Sequence, residues 1–468
     1  MAAQGTTTDA VSADWIRTEI ERLKSEREQL DNRISALESQ LQSCTGSSSP
    51  VGGEEENSSC SIADGLTSCV NGFSTNGLSS DMIYRYSRQL LLPDFGVEGQ
   101  YKLSRTRVLV IGAGGLGSPA AMYLASCGVG CLGIVDGDFV ELNNLHRQII
   151  HTESYVGKPK VQSAAAACRA INSSIKVVEH QELLHPSNAL KIVNQYDVVV
   201  DATDNLPSRY MISDCCVVLK KPLISGAALG LEGQLTVYNH NGSPCYRCLF
   251  PTPPPSAACQ RCSDSGVLGV VPGVIGCMQA LEAIKIAADV GEALSGRMLL
   301  FDALSARVRI VKIRGRSSAC TICGENSSFT REEFERFDYE NFTQSPMSDR
   351  TRPKVTLLPE SARITTKEYK EVLDKNKKHV LLDVRPVHQF KITSLPNSVN
   401  IPLSDLEKDL PKLGPMLNDS SLYVICRRGN TSQTAVQLLH QKGLLSAKDI
   451  IGGLESWAKE IDPKFPVY

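Results

Sequence analysis

Residues 108–117 read VLVIGAGGLG, four aliphatic residues followed by a glycine turn. An unbroken aliphatic run of this kind suits a strand buried on both faces of a parallel sheet. Gly112, Gly114 and Gly117 supply the GxGxxG spacing. The first glycine permits the tight turn, the second lets the backbone approach a phosphate, and the third lets helix and strand pack closely. The phosphate then rests on N–H groups at the N-terminus of the following helix. Asp136 lies 19 residues beyond Gly117, at the end of a second apolar run over 131–135, where an acid meets a ribose hydroxyl. Strand, turn, helix and acid in this order predict an α/β, Rossmann-like nucleotide-binding unit. The glycine spacing alone does not say which nucleotide.

The 468 residues leave room for about three domains. A net charge of −2 with 42% hydrophobic residues allows sizeable cores and gives neither sign the upper hand, so nothing calls for a nucleic-acid or anionic-membrane surface. The N-terminus is polar and carries no apolar stretch like that of a signal peptide, and a cytoplasmic protein is expected. Residues 108–135 contain no charge, yet seven glycines and Pro119 within them favour strand, turn, helix and strand over a membrane span. Sixteen cysteines in a chain of this size point to metal or reactive thiols rather than a disulfide scaffold.

Upstream, Ile16, Ile20, Leu23, Leu30, Ile34, Leu37 and Leu41 fall on heptad a and d positions, with Arg27 the one polar exception. This predicts an N-terminal coiled-coil helix within residues 1–45, serving dimerisation or docking. Residues 46–80 are rich in Ser, Gly and Asn and form a flexible linker. A first domain spans 81–345: a helix over 81–92, the nucleotide unit, a helix over 159–171, and strands at 176–180 and 197–201. Further strands follow at 223–228, 233–239 and within 298–314, with a helix over 273–288. Strands alternating with helices imply a mostly parallel sheet. Residues 327–354 are charged and irregular, 346–363 form a second linker, and 364–468 make a smaller α/β domain with apolar runs at 380–384 and 422–426.

The charged residues around the nucleotide unit narrow its chemistry. Asn143, Asn144, Leu145, His146, Arg147 and Gln148 follow Asp136-Gly137-Asp138; Lys160 closes a GKPK run; Asp204 and Asn205 follow the strand ending at Asp201. A dehydrogenase needs a small apolar nicotinamide pocket and has no use for this set. Attack on an α-phosphate builds negative charge on the phosphoryl oxygens and on departing pyrophosphate. Arg147 and Lys160 can neutralise that charge and Asp204 can hold Mg²⁺.

The cysteines divide into pairs and single thiols. Cys245/Cys248, Cys259/Cys262 and Cys320/Cys323 are each CxxC. Two such pairs suit a closed tetrahedral zinc, and spacing alone does not choose which two. Cys262 also lies in a proline-rich stretch next to Arg261, where a thiol on an irregular loop can take part in covalent chemistry. Cys426 follows an apolar strand and precedes a helix, in CRRGNTS. Such a loop surrounds its first residue with backbone N–H groups, and Arg427 and Arg428 add positive charge; both favour a thiolate.

The ordered series RYSRQ, GAGGLG, DGD, NNLHRQ, GKPK, DATDN, SGAALGLEGQ and PCYRC resembles the ubiquitin-activating-enzyme-like adenylyltransferases of molybdenum-cofactor and thiamin biosynthesis, over about 81–324. The runs LLDVRP, PNSVNIP, CRRGNTS and GGLESW resemble the landmarks of rhodanese domains, over about 364–468. An adenylating domain fused to a rhodanese resembles the molybdopterin synthase sulfurtransferase family, which also serves the ubiquitin-related modifier in tRNA thiolation. The resemblance implies that ATP adenylates the C-terminal glycine of a ubiquitin-like sulfur carrier protein. It places Gly115, Asp136, Asn143, Asn144, Leu145, His146 and Arg147 on ATP, makes Lys160 and Arg147 the transition-state cations, and has Asp204 and Asn205 complete the ATP and Mg²⁺ site. It implies that Arg88 reaches the site of a neighbouring subunit in a homodimer. It selects Cys245, Cys248, Cys320 and Cys323 for one zinc per subunit, has Cys426 carry a persulfide, and has Cys262 capture or resolve the activated carrier. A cysteine desulfurase is the expected sulfur donor.

Two other readings remain open on sequence. One is a nicotinamide-dependent oxidoreductase with a phosphatase-like accessory domain, although a phosphatase loop places an Arg six residues from its Cys, and that place is held by Ser432 here. The other is a scaffold that binds a ubiquitin-like partner without turnover.

Overall fold

The computed structural model describes residues 77–255, 265–348, 356–417 and 420–468, with scattered positions between 20 and 35. Those scattered positions are helical, and Ile20 and Ile34 on them are about half exposed. The other apolar heptad residues of the expected coiled coil lie outside the described residues, as do Cys259, Cys262, residues 46–76 of the first linker and 349–355 of the second.

The glycine turn sits where the sequence places it, between a buried strand and a helix. Strand β1 (Arg107–Ile111) is flanked by β2 (Cys131–Val135) and β4 (Val198–Asp201), with β3 (Lys176–His180) and β5 (Leu223–Leu229) outside them, all parallel. The strand order β3-β2-β1-β4-β5 reverses between β1 and β4. That reversal opens a crevice at the carboxyl ends of the two strands, the place where such sheets bind ligands. Gly112 there has φ +98°, and a Cβ on it would meet the Ala202 carbonyl at the end of β4. A Cβ on Gly117 would lie 1.8 Å from the Gly112 carbonyl oxygen, so the close strand–helix packing requires glycine.

The sheet is less parallel than the sequence suggests. β6 (Glu232–Tyr238), β7 (Arg297–Asp302) and β8 (Arg307–Lys312) extend it in antiparallel pairs. Only Gly230 and Leu231 join β5 to β6, and two residues close a hairpin but cannot make a crossover. The helix expected over 273–288 begins earlier, at Val270, and includes Pro272 in its first turn, where a missing N–H costs nothing. It is the one helix among the described residues long and apolar enough to cross a membrane. Its Val271, Ile275, Ala280 and Ala283 are buried, and Gly276 lets it approach the Leu116 carbonyl.

Two other segments depart from expectation. The helix over 81–92 is two short ones, Ser80–Arg85 and Ser87–Leu90, broken at Tyr86, whose buried hydroxyl accepts from Asn172 Nδ2 at 2.9 Å. The stretch taken as irregular contains helices Arg331–Arg336 and Tyr339–Thr343. They pack on the core because Tyr339 Oη donates to buried Asp214, which Arg247 also grips.

A second, wholly parallel sheet follows: β9 (Arg363–Ile364), β10 (His379–Asp383), β11 (Ser398–Asn400), β12 (Ser421–Ile425) and β13 (Lys448–Ile450), in the order β11-β10-β12-β13-β9. It too reverses, between β10 and β12, and Cys426 stands at the carboxyl end of β12 on that reversal.

Candidate functional site

The first crevice is built from the ends of β1, β2 and β4. The helix Gly117–Cys127 that follows the glycine turn has no side-chain cap and no acid in its first turn. Of its leading N–H groups, Ser118 N donates to the Gly114 carbonyl at 3.0 Å, and the positive end of the helix faces the crevice. A Cβ on Gly114 would meet only Gln148 Nε2, at 3.9 Å, so the space beside the turn is open. Asp136 braces this turn as well as facing the crevice: its Oδ2 accepts from Ala113 N and its Oδ1 from Asp138 N, both at 2.8 Å.

The two candidate cations differ in how they are held. Lys160 opens the helix Lys160–Ile171, is nearly buried, and pairs with Asp138 at 3.2 Å. Arg147 folds onto its own loop, donating to the Asn143 carbonyl at 2.8 Å and lying 2.9 Å from His146 Nε2. Asn144 is buried and structural: its Oδ1 accepts from Glu141 N and its Nδ2 donates to Asn143 Oδ1. A Cβ on Gly115 would touch Pro272 and the Arg147 carbonyl, and Leu145 is half-buried. At the end of β4, Asp204 is exposed. Asn205, by contrast, caps the helix Leu206–Val218 by accepting from Ser208 N at 2.9 Å.

A groove of about 580 Å³ runs from Leu116, Asp204 and Asn205 over small residues of β5 and β6 (Ala227, Ala228, Gly233) to Arg307 and Arg309 of β8. It opens directly from the nucleotide crevice.

The structure gathers Cys245, Cys248, Cys320 and Cys323 with every sulfur within 4.8 Å of the others. Three of the Sγ separations are 3.8 Å (Cys245–Cys248), 3.6 Å (Cys245–Cys320) and 3.4 Å (Cys248–Cys323). A tetrahedron with Zn–S bonds of about 2.3 Å has edges of about 3.8 Å, so the donors fit zinc. Hydrogen bonds from Cys245 and Cys248 hold the Cys323 thiol down to about 5, while the bond to Cys323 and burial push Cys245 up. Four thiolates this close need a cation between them.

At the second crevice, Cys426 Sγ is nearly buried, accepts from Gly429 N at 3.2 Å and lies 3.2 Å from Ser432 Oγ. The helix Gly453–Glu460 props the loop from behind, with Leu454 N on the Cys426 carbonyl and Glu455 N on the Arg427 carbonyl. A Cβ on Gly453 would lie 2.2 Å from the Cys426 carbonyl oxygen, which is why two glycines stand there. Cys426 faces a cavity of about 470 Å³ lined also by Arg385, Arg427 and Arg428.

Both sheets match known families. The ThiF family model covers residues 86–322 and the rhodanese-like domain model covers 365–460. The chain is 67% identical over 461 residues to the adenylyltransferase and sulfurtransferase MOCS3-2 of Zea mays, covering 97% of this chain and 96% of that one. It belongs to the MOCS3 family. The MOCS3 protein of Arabidopsis thaliana is 62% identical over 477 residues, 98% of each chain, and that of Danio rerio 46% over 410 residues, 84% of this chain and 88% of its own. Among solved structures, a crystal structure of E. coli MccB with ATP aligns with a TM-score of 0.46 at 25% identity, over 51% of this chain and 73% of that one. As a MOCS3 family member the chain is an adenylyltransferase and sulfurtransferase.

Several features of this MOCS3-type site escape a reading of sequence. Both loop arginines reach one carboxylate: Arg427 Nε lies 3.1 Å and Arg428 Nε 2.8 Å from Glu455 Oε1, so the loop carries less net positive charge than two arginines suggest. Gln148 is buried with Oε1 unpartnered among the described residues, under the phosphate turn. It stood in the NNLHRQ run, but nothing in the run separates a ligand from a spacer. His151 is buried between Ala113 and Ser163, and burial lowers its pKa. Arg88 is exposed.

Proposed function

We propose that residues 81–345 adenylate the C-terminal glycine of a ubiquitin-like sulfur carrier, and that residues 364–468 then convert it to a thiocarboxylate. The observation that carries this reading is the groove that leaves the nucleotide crevice beside Asp204. Its open run from Asp204 to Arg309 and the small residues Ala227, Ala228 and Gly233 along it suit an extended protein tail, whereas a nicotinamide enzyme would need a closed apolar pocket there.

In this reading the helix N-terminus at Gly114–Gly117 and the nearby Gly115, Asn143, Leu145, His146 and Gln148 cradle ATP, and Asp136 meets the ribose. Mg²⁺, held by Asp204, adds charge neutralisation at the phosphates when bound. The carrier carboxylate attacks the α-phosphorus, the bond to pyrophosphate breaks, and Lys160 and Arg147 offset the charge that develops. The terminal sulfur of a Cys426 persulfide attacks the acyl-adenylate carbonyl and AMP leaves. Cys262, outside the described residues, then attacks Cys426 Sγ: the S–S bond breaks, a Cys262–Cys426 disulfide forms, and the carrier departs as thiocarboxylate. A thiol reductant restores both cysteines, and a cysteine desulfurase recharges Cys426. Zinc at the four cysteines holds together segments that 71 residues separate.

A homodimer is supported by exposed Ile149, Leu268 and Val270, which border the contact of Gly269 with the His146 carbonyl, and by the exposure of Arg88. We place the protein in the cytoplasm, serving molybdenum-cofactor synthesis and tRNA thiolation.

Pyrophosphate exchange with ATP and a ubiquitin-like carrier tests the first half, since neither an oxidoreductase nor a scaffold supports it. Cys426→Ala tests the second: exchange persists, while the gain of about 16 mass units on the carrier, oxygen replaced by sulfur, disappears. Loss of both activities in that variant would overturn the division of labour.

A further inference from the structure

We propose that His151 is a positioning residue for the nucleotide turn, clamping the Ala113 carbonyl to the helix Lys160–Ile171 through its neutral Nε2–H tautomer. The inference rests on the nucleotide reading of the crevice and adds to it a residue that touches no substrate.

The tautomer follows from the partners. His151 Nε2 lies 2.9 Å from the Ala113 carbonyl oxygen, which can only accept, so Nε2 carries the proton. In the neutral ring Nδ1 then has a lone pair, and it lies 2.9 Å from Ser163 Oγ, which can donate to it. Ser163 is buried one turn beyond Lys160 on the same helix. Burial favours the uncharged ring and nearby Lys160 reinforces it, while the Ala113 contact and Asp136 act in the opposite sense.

Ala113 is thereby held through both of its backbone polar groups: its N–H by the carboxylate of Asp136 and its C=O by His151. It is also the residue between Gly112, with its left-handed backbone, and Gly114, where the phosphate space opens. A turn built from glycines has many conformations to lose, and fixing Ala113, which sits between two of them, selects the one that aims N–H groups into the crevice. The line Asp136, Ala113, His151, Ser163 also keeps the turn in register with the helix that presents Lys160.

Glutamine and asparagine separate this role from mere packing, because the amide nitrogen of Gln sits near the position of His Nε2 and that of Asn near Nδ1. In the full-length protein, ATP binding by titration calorimetry should change by less than about twofold in His151→Gln and weaken about tenfold in His151→Asn, the size expected for one lost buried hydrogen bond. In pyrophosphate exchange the Asn variant should raise KM for ATP more than it lowers kcat. The thermal unfolding midpoint of the first domain, read by scanning calorimetry, reports folding. Equal ATP affinity in the Asn variant and the wild type, or equal losses in Gln and Asn, would overturn the clamp. Wild type that binds no ATP would overturn the nucleotide reading itself. Should the Asn variant not fold, ¹⁵N spectra of histidine-labelled wild type, with the His151 signal identified by its absence in His151→Gln, decide the matter: a Nε2–H tautomer at neutral pH supports the clamp, and a Nδ1–H or charged ring refutes it.

Discussion

The Ser432 hydroxyl lies 3.2 Å from Cys426 Sγ while donating its proton to Asp449 Oδ1 at 2.5 Å. Arg363 fixes Asp449 from the other side, with Nη2 2.9 Å from Oδ2. Burial pushes the Asp449 carboxyl up, and the bonds from Ser432 and Arg363 pull it back. One hydroxyl therefore serves two acceptors that compete for it once the sulfur is anionic. Ser432→Ala removes that donor and leaves Gly429 N–H to stabilise the sulfur. Alkylation of Cys426 by iodoacetamide and sulfur transfer to cyanide should both slow about tenfold, with pyrophosphate exchange unchanged. Unchanged alkylation would make Ser432 a packing residue only.

The zinc assignment predicts one zinc per chain by elemental analysis. Cys320→Ser should release it and lower the thermal midpoint of the first domain, since structural zinc binds with about 10–16 kcal/mol in small peptides. Cys127→Ser, a partly exposed thiol outside the cluster, should leave metal content unchanged. Zinc retained in full by Cys320→Ser would point to a different ligand set.

Arg247 sits between Cys245 and Cys248 and is itself buried, with Nε and Nη2 on the Asp214 carboxylate at 2.7–3.1 Å. Its guanidinium also lies 4.4 Å from the ring centre of Phe342 and 4.8 Å from that of Phe337. Arg247→Met strands the Asp214 charge in the core, and breaking such a pair costs about 3–5 kcal/mol. Denaturant unfolding should show a loss of that size. Asp214→Asn together with Arg247→Met should recover part of it, because no lone charge remains buried.

Much of this was legible in the chain. The glycine turn, Asp136, Lys160 and the loop after β12 could be placed because each depends on local geometry: a turn that only glycine can make, or a residue that follows an aliphatic run. The zinc set was legible only to the level of three CxxC pairs, since spacing does not tell which turns meet in space. The antiparallel half of the first sheet was missed because strands read alike in either direction, and only the two-residue connection Gly230-Leu231 betrays the hairpin. The helices Arg331–Arg336 and Tyr339–Thr343 were missed because they are too short to show a period, and Asp214 and Arg247 hold them in place. Glu455 could not be paired with Arg427 and Arg428 from sequence because it comes from a different helix.

Burial lowers the pKa of His151, His180 and His240. The unfolded chain, with histidines near pH 6.5, therefore binds more protons than the folded one below that pH. Their contribution to stability is complete above pH 6.5 and is lost as the pH falls from there toward the folded values. Urea midpoints measured from pH 8 to pH 5 should be flat down to about 6.5 and decline below it. His151→Gln should shallow the decline, and an unaltered slope in that variant would remove His151 from the titrating set.

Lys160 and Arg147 are predicted to fail differently. Lys160 is already held in the crevice wall by Asp138, whereas Arg147 must leave the Asn143 carbonyl to reach a phosphate. A preorganised cation needs no rearrangement when charge develops, and its removal falls mainly on the chemical step. Lys160→Met keeps the apolar stem packed and removes only the charge. It should lower the kcat of carrier-dependent pyrophosphate exchange by on the order of 10²–10³ with little change in KM for ATP. Arg147→Met should raise KM for ATP as well, because binding and rearrangement of that side chain occur together. Sulfur transfer from Cys426 to cyanide should be untouched in both variants, since that chemistry belongs to the second sheet. If Lys160→Met raised KM alone and left kcat intact, the ammonium would belong to substrate binding and Arg147 would be left as the one candidate for the transition-state charge.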